Sequence, residues 1–158
     1  MAVSPDLTEL LHGLSAAKVR FLIVGAHAVA FHAEPRYTKD IDLWVDCAPE
    51  NVAQLWRALA AWGAPLDRVK PEDFEDPQTV FQIGIEPNRV DILMGLDAVQ
   101  FARAWPRRVR AELGGVTVYF ISRTDLIRTK RAANRAQDRL DLAKLTRPAA
   151  GRRRKRRS

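Results

Sequence analysis

The chain has 158 residues, of which 47% are hydrophobic and 28% are charged, a balance that excludes an intrinsically disordered protein and suffices for one domain with a buried core. The formal net charge is +7, but six of the seven residues from 152 to 158 are basic. Without those six charges the remaining chain carries +1, so the charge belongs to a tail and not to a basic binding face.

The single cysteine, Cys47, excludes an internal disulfide and fits a reducing compartment. The first twenty residues contain several charged side chains and no continuous apolar run, which predicts no signal peptide. No stretch approaches the roughly 20 apolar residues that a membrane helix needs. We therefore expect a cytoplasmic protein.

The first half of the chain alternates helical and strand patterns. Leucines at three- and four-residue spacing predict a helix over 5–17, and the apolar run over 21–24 predicts a buried strand that turns at Gly25. A short helix follows over 26–31. The second strand covers 40–46, and a helix over 50–62 has its apolar side chains on one face.

The second half contributes two strands joined by a turn, then a short helix, a strand after two glycines and two final helices. Their predicted ranges are 79–85, 89–94, 97–104, 116–121, 122–133 and 138–145. The order predicts an α/β or α+β fold, with a mixed sheet of about four or five strands flanked by helices. We assign residues 1–147 to this domain and residues 148–158 to a disordered basic tail.

Two carboxylates stand two residues apart in the second predicted strand. Asp40 and Asp42 therefore point to the same face of the sheet, with their Cα atoms about 7 Å apart. Adjacent negative charges are unfavourable without compensation, so the pair favours a bound divalent cation. The alternative is a solvated strand face on which acidic and apolar residues simply alternate.

A third acid strengthens the metal interpretation. Asp91 is bracketed by apolar residues in the strand over 89–94, where a carboxylate is costly unless it is exposed, paired or liganded. If this strand lies beside the strand of Asp40 and Asp42, the three acids meet at one edge. Three such carboxylates can hold two magnesium ions about 3.5–4 Å apart, as in two-metal phosphoryl transfer.

The order of these features resembles the DNA polymerase β-like nucleotidyltransferase superfamily. The features are an apolar strand ending at Gly25-Ala26, the acid-apolar-acid strand Asp40-Ile41-Asp42 and a later lone acid, Asp91. The stretch over 21–43 is similar to small bacterial members, namely AbiEii-type toxins of abortive-infection and toxin–antitoxin systems and their short stand-alone relatives. The C-terminal stretch around Lys130 is also similar, and the resemblance covers about residues 19–145.

This resemblance implies roles for particular positions. Asp40, Asp42 and Asp91 would be the catalytic and metal-binding residues for two Mg²⁺ ions, with Mn²⁺ as a substitute, and Asp91 would help to deprotonate the acceptor hydroxyl. Gly25 and Ala26, at the start of a short helix, would bring backbone N–H groups to the nucleotide phosphates. Lys130 would reach the same phosphates, although a solvated helix lysine is the alternative.

Two residues before the acidic strand are further candidates for nucleotide binding. Arg36 either holds a phosphate or forms a structural ion pair with Asp40 or Asp42, and Thr38 either contacts a phosphate or ends a turn. Trp44 shares the strand face of the acids and is a candidate for stacking on a base. His27 and His32 are five apart, which is not the spacing of paired zinc ligands.

The sequence supports three functions to different degrees. The first is a metal-dependent enzyme that moves a nucleoside monophosphate from a nucleoside triphosphate to a hydroxyl on RNA, protein or a small molecule. The second is a non-catalytic binding module on the same fold, paired with a partner protein encoded nearby as in toxin–antitoxin systems; Ala26 in place of Gly or Ser motivates it. The third is nucleic-acid binding through the basic tail.

Overall fold

A computed structural model of the chain describes residues 3–34, 40–84 and 89–147. Along these ranges the helices and strands follow the order α1 (Pro5–Ala16), β1 (Phe21–Val24), α2 (Gly25–His32), β2 (Asp40–Val45), α3 (Pro49–Trp62), β3 (Val80–Ile83), β4 (Arg89–Leu93), α4 (Phe101–Ala104), β5 (Val109–Leu113), β6 (Val116–Phe120), α5 (Arg123–Ala133) and α6 (Ala136–Leu145). Short 3₁₀ helices cover Pro71–Glu75 and Trp105–Arg107.

The strands form one mixed sheet in the order β3-β4-β2-β1-β6-β5. β2 runs parallel to β4 and β1 runs parallel to β6, whereas β1–β2, β3–β4 and β5–β6 are antiparallel. The predicted α/β or α+β fold with helices flanking a mixed sheet is therefore confirmed. The sheet has six strands in the described residues, one more than the upper end of the predicted range.

The additional strand is β5 at one edge of the sheet. Val109, Ala111 and Leu113 alternate with Arg110 and Glu112, which is the period of a strand with one solvated face. β5 pairs with β6 across the Gly114-Gly115 turn, where both glycines have positive φ angles of 60° and 79°. A two-glycine turn of this kind is typical of a β-hairpin, so the signal for the missing strand was present in the sequence.

The predicted helix over 97–104 is shorter than expected. Ala98 has a φ of 68°, in the left-handed region that a helix cannot contain. Leu96 and Val99 also form an isolated antiparallel bridge. The segment is therefore a tight turn, and the α-helix begins only at Phe101.

The core lies between the central strands and the amphipathic helices. All four residues of β1 are buried, and α1 and α3 pack against each other through fully buried leucines such as Leu14 and Leu55. Apolar burial of this kind supplies most of the driving force for folding. Within the described ranges, no helix is both long and apolar enough to cross a membrane.

Candidate active site

Two of the three predicted carboxylates face each other across neighbouring strands. β2 and β4 are adjacent and parallel, and their register places Asp42 beside Asp91 and Asp40 beside Arg89. Register partners on parallel strands point to the same side of the sheet. The expectation that the lone acid lies next to the acid pair is confirmed at the level of the backbone.

The Asp42 carboxyl group lies in a strongly unfavourable place for a negative charge. Burial raises the pKa of Asp42 to about 6, and the neighbouring carboxylates of Asp91 and Asp40 add to that rise. A hydrogen bond with the Asp91 side chain also contributes, while the Lys130 ammonium group acts in the opposite direction. A carboxyl group whose pKa is raised by burial and by neighbouring acids is typical of a functional site that binds positive charge.

Gly25 makes room for the Asp42 side chain at the start of α2. Gly25 has a φ of +68°, and a Cβ atom built on it would lie 2.0 Å from Oδ2 of Asp42 and 2.8 Å from its Cγ. Only glycine fits both the backbone angle and this close approach. Gly25 therefore makes space for a candidate catalytic carboxylate, and its phosphate-binding role stays a prediction.

Arg89 is a component of the site that sequence reasoning missed. Its guanidinium group donates from Nε to Oδ1 of Asp91 at 3.0 Å and from Nη2 to Oδ2 at 3.1 Å. Its Nη1 lies 3.9 Å from Oδ2 of Asp40. In the described ranges, no group of three or more His, Cys, Asp or Glu side chains is arranged to hold a metal ion. Two acids meet in this conformation, and Arg89 stands between the third acid and Asp91.

Asp42 and Asp91 open onto a cavity of about 440 Å³. The cavity is bounded by residues of β1, β2 and β4 on one side and by residues of α5 and α6 on the other. Its polar lining includes Asp42, Asp91, Asp97, Lys130, Arg135, Asp138 and Asp141, and the backbone of Gly25-Ala26 also borders it. Lys130 therefore shares a cavity with Asp42 and Asp91. A volume of this size suits a small ligand.

Lys130 is held by two buried acids on α6. Its Nζ lies 3.2 Å from Asp138 and 3.0 Å from Asp141, and these carboxylates are only 2% and 1% exposed. Burial by itself would raise the pKa of Asp138. Hydrogen bonds donated by Arg135 and Lys130 outweigh that effect and hold the pKa below its ordinary value. Arg135 also forms an ion pair with Asp138, at 2.8 Å. The phosphate-binding role of Lys130 stays a prediction.

We expect Lys130→Met to destabilise the protein by about 3–5 kcal/mol, because it removes the buried cation that two buried carboxylates share. Thermal or urea unfolding measures this loss. The matched control is Arg135→Met, which removes a cation from the same acid, Asp138, but from a side chain that is 78% exposed. An exposed partner is worth about 1 kcal/mol or less. Equal losses in the two variants would contradict the assignment of Lys130 as the buried counter-ion.

The remaining predicted residues have mixed outcomes. Arg36 and Thr38 lie outside the described residues, as does the basic tail. Trp44 is 1% exposed and packs edge-on against Phe101, so the prediction that it stacks on a base is wrong. Trp44 shares a strand face with Asp42, but Phe101 of α4 covers the face at Trp44, so this side chain belongs to the core. His27 is buried, as a packed histidine would be.

The comparisons with known proteins agree with this architecture. Residues 2–146 match the profile of a family described as a nucleotidyltransferase of unknown function (DUF6036). The chain belongs to this nucleotidyltransferase family. The match spans nearly all of the described residues and makes the protein a transferase, in agreement with the nucleotidyltransferase resemblance of the sequence. No curated protein matches the sequence.

Two solved structures share the fold of this nucleotidyltransferase. One is the lincosamide antibiotic adenylyltransferase LnuA with lincomycin bound, which is 14% identical with a TM-score of 0.60 and covers 92% of this chain and 98% of its own. The other is the predicted nucleotidyltransferase TM1012 from Thermotoga maritima, which is 17% identical with a TM-score of 0.52 and covers 96% of this chain and 91% of its own. At these identities the likeness establishes the fold alone.

Proposed function

We propose that this nucleotidyltransferase moves a nucleoside monophosphate from a nucleoside triphosphate to a hydroxyl group, using divalent cations held by Asp42, Asp91 and Asp40. The observation that carries the proposal is the meeting of Asp42 and Asp91 at a cavity that begins at Gly25. Burial and mutual repulsion raise the pKa of Asp42 to about 6, and a cation would relieve that repulsion.

The donor set fits a hard divalent cation. Carboxylate oxygens are the ligands that Mg²⁺ and Mn²⁺ prefer, and Mg²⁺ is usually bound by one or two carboxylates together with substrate phosphates. Asp42 and Asp91 supply such a pair, and Asp40, whose Oδ2 lies 3.9 Å from Nη1 of Arg89, would be the third ligand. When bound, the cations would neutralise charge on the α-phosphate and on the departing pyrophosphate.

The side chains and backbone of the chain supply the other parts of the reaction. The N–H groups at the start of α2, next to Gly25, would bind phosphate oxygens, where the helix dipole also favours anions. Asp91 would accept the proton of the acceptor hydroxyl. The hydroxyl oxygen then forms a bond to the α-phosphorus, the bond from that phosphorus to the bridging oxygen breaks, and pyrophosphate leaves with the electron pair. Positioning and electrostatics provide most of the rate in such transfers.

The acceptor belongs to one of three classes: a small molecule, RNA or a protein. LnuA is described as an adenylyltransferase of a lincosamide antibiotic, which makes small-molecule hydroxyls the first class to test. A toxin–antitoxin role with a partner protein encoded nearby, and a cytoplasmic location, stay predictions from the sequence.

The test follows the label through the reaction. Purified protein with Mg²⁺ or Mn²⁺ is incubated with each of four nucleoside triphosphates labelled at the α-phosphate and with hydroxyl-bearing small molecules, total RNA or lysate protein. We expect label on one acceptor class with release of unlabelled pyrophosphate. A parallel reaction with γ-labelled triphosphate is the control, since nucleotidyl transfer leaves that label in pyrophosphate. Transfer of the γ-label, or no transfer in any mixture, would reject the proposal and favour a non-catalytic binding module.

A further inference from the structure

Arg89 lies between two acids of the candidate active site, Asp40 and Asp91. Asp40 is its register partner on the parallel strand β2, and Asp91 lies two residues further along β4 on the same face. The guanidinium group forms two parallel hydrogen bonds with Asp91, at 3.0 and 3.1 Å, and lies 3.9 Å from Asp40. The strand register therefore places Arg89 beside both carboxylates.

The two-pronged bond places one donor N–H on each carboxylate oxygen of Asp91. Those are the oxygens that the proposed function assigns to a divalent cation. A fork-shaped guanidinium matches a carboxylate more closely than an ammonium group does. A cation and the arginine therefore compete for the same oxygens.

We propose that Arg89 is an internal counter-ion that holds Asp91 and Asp40 in the cation-free protein and must release them before a divalent cation can bind. This inference rests on the proposed function. Arg89 is a positioning residue, since it acts through the carboxylates. Its side chain is 31% exposed, which leaves an outward path by which the guanidinium can leave Asp91.

The test measures binding of Mn²⁺ alone to the full chain, without nucleotide, by the electron paramagnetic resonance signal of free Mn²⁺. We expect Arg89→Gln to bind Mn²⁺ about tenfold or more tightly than the natural protein, because a competing positive charge within a few ångströms has been removed. Arg89→Lys keeps the charge but loses the fork, so its affinity should lie between the two.

The matched control is Arg20→Gln. Arg20 also pairs with two acids, at 2.8 Å to Asp46 and 3.0 Å to Glu50, and its side chain is 33% exposed. It precedes β1 at the end opposite to Gly25, and neither of its two acids is a carboxylate of the proposed cation site. Removing it changes the net charge by the same amount, so a general electrostatic effect would appear in both variants. We expect the Mn²⁺ affinity of Arg20→Gln to match that of the natural protein.

The outcomes separate this inference from the proposed function. Binding that Asp42→Asn abolishes but Arg89→Gln leaves unchanged or weakens would overturn the counter-ion role while the cation site stands. An absence of Mn²⁺ binding in the natural protein and in Arg89→Gln would reject the cation site and the inference together. If Arg89→Gln does not fold, as judged by circular dichroism, Arg89→Lys decides: affinity equal to that of the natural protein overturns the proposal, and tighter binding supports it.

Discussion

Asp42→Asn is expected to lower the rate of nucleotidyl transfer by about a thousandfold or more while the fold stays intact. Asparagine keeps the shape of the side chain but removes the charge that the proposed cations need, and a lost cation removes several kcal/mol of transition-state stabilisation. The α-label assay measures the rate, and circular dichroism reports the fold. A variant with nearly full activity would remove Asp42 from the site.

The control for this substitution is Asp46→Asn, just beyond the end of the same strand. Asp46 pairs with Arg20 and does not border the cavity. Its loss removes one carboxylate from the same region of the chain without touching the proposed cation site. We expect its transfer rate to stay close to that of the natural protein, so a large loss in both variants would indicate a general structural effect.

Asp42→Asn should also stabilise the metal-free protein at neutral pH. The pKa of Asp42 rises from an ordinary 3.8 to about 6 on folding, so the folded state binds more protons and its stability falls as pH rises from about 4 to above 6. A shift of this size corresponds to about 3 kcal/mol. Asp42→Asn should therefore unfold at higher temperature than the natural protein at pH 7, with the difference fading below about pH 4.

Adding Mg²⁺ should reverse that difference. The cation binds the folded natural protein and stabilises it by mass action, whereas the Asp42→Asn variant should gain little. Thermal unfolding with and without Mg²⁺ at pH 7 measures the effect. Metal-free stability that rises between pH 4 and pH 7 faster in the natural protein than in the variant would contradict the raised pKa of Asp42.

Gly25→Ala is expected to reduce transfer about a hundredfold or more and to destabilise the protein by several kcal/mol. The new Cβ would lie 2.0 Å from Oδ2 of Asp42, so either the carboxylate leaves its place or the start of α2 shifts. A displacement of about 1 Å at a reacting group is enough to cost about a hundredfold in rate. The label assay and urea unfolding measure the two effects.

Gly63→Ala separates this clash from backbone strain. Gly63 has a φ of +95°, in the same left-handed region, but a Cβ there meets no atom within 4 Å. It ends α3 as a C-terminal cap, where alanine costs about 1–2 kcal/mol through strain. We expect stability to fall modestly and transfer to be unchanged. Equal losses of activity in both variants would show that strain alone explains the effect of Gly25→Ala.

Much of this protein follows from local sequence patterns. The period-2 alternation around Asp40 and Asp42 predicted a strand with both acids on one face, and the register with β4 agrees with that prediction. The apolar run over β1 and its glycine end predicted a buried strand that turns into a helix. These features depend on side-chain spacing and backbone preference, which neighbouring residues determine almost alone. The edge strand β5 carried the same kind of signal.

Other features depend on which distant segments become neighbours. The contact of Gly25 with Asp42 joins β1 to β2, and Lys130 meets two buried acids only because α6 folds back along α5. Trp44 shares a sequence pattern with the acids, yet its face is covered by α4. No motif in the sequence pointed to Arg89, and it lies beside Asp40 because β2 and β4 pair in parallel register. Local spacing determined which carboxylates share a face, whereas packing of remote elements decided which charges meet there, because electrostatic contact follows distance in space and not along the chain.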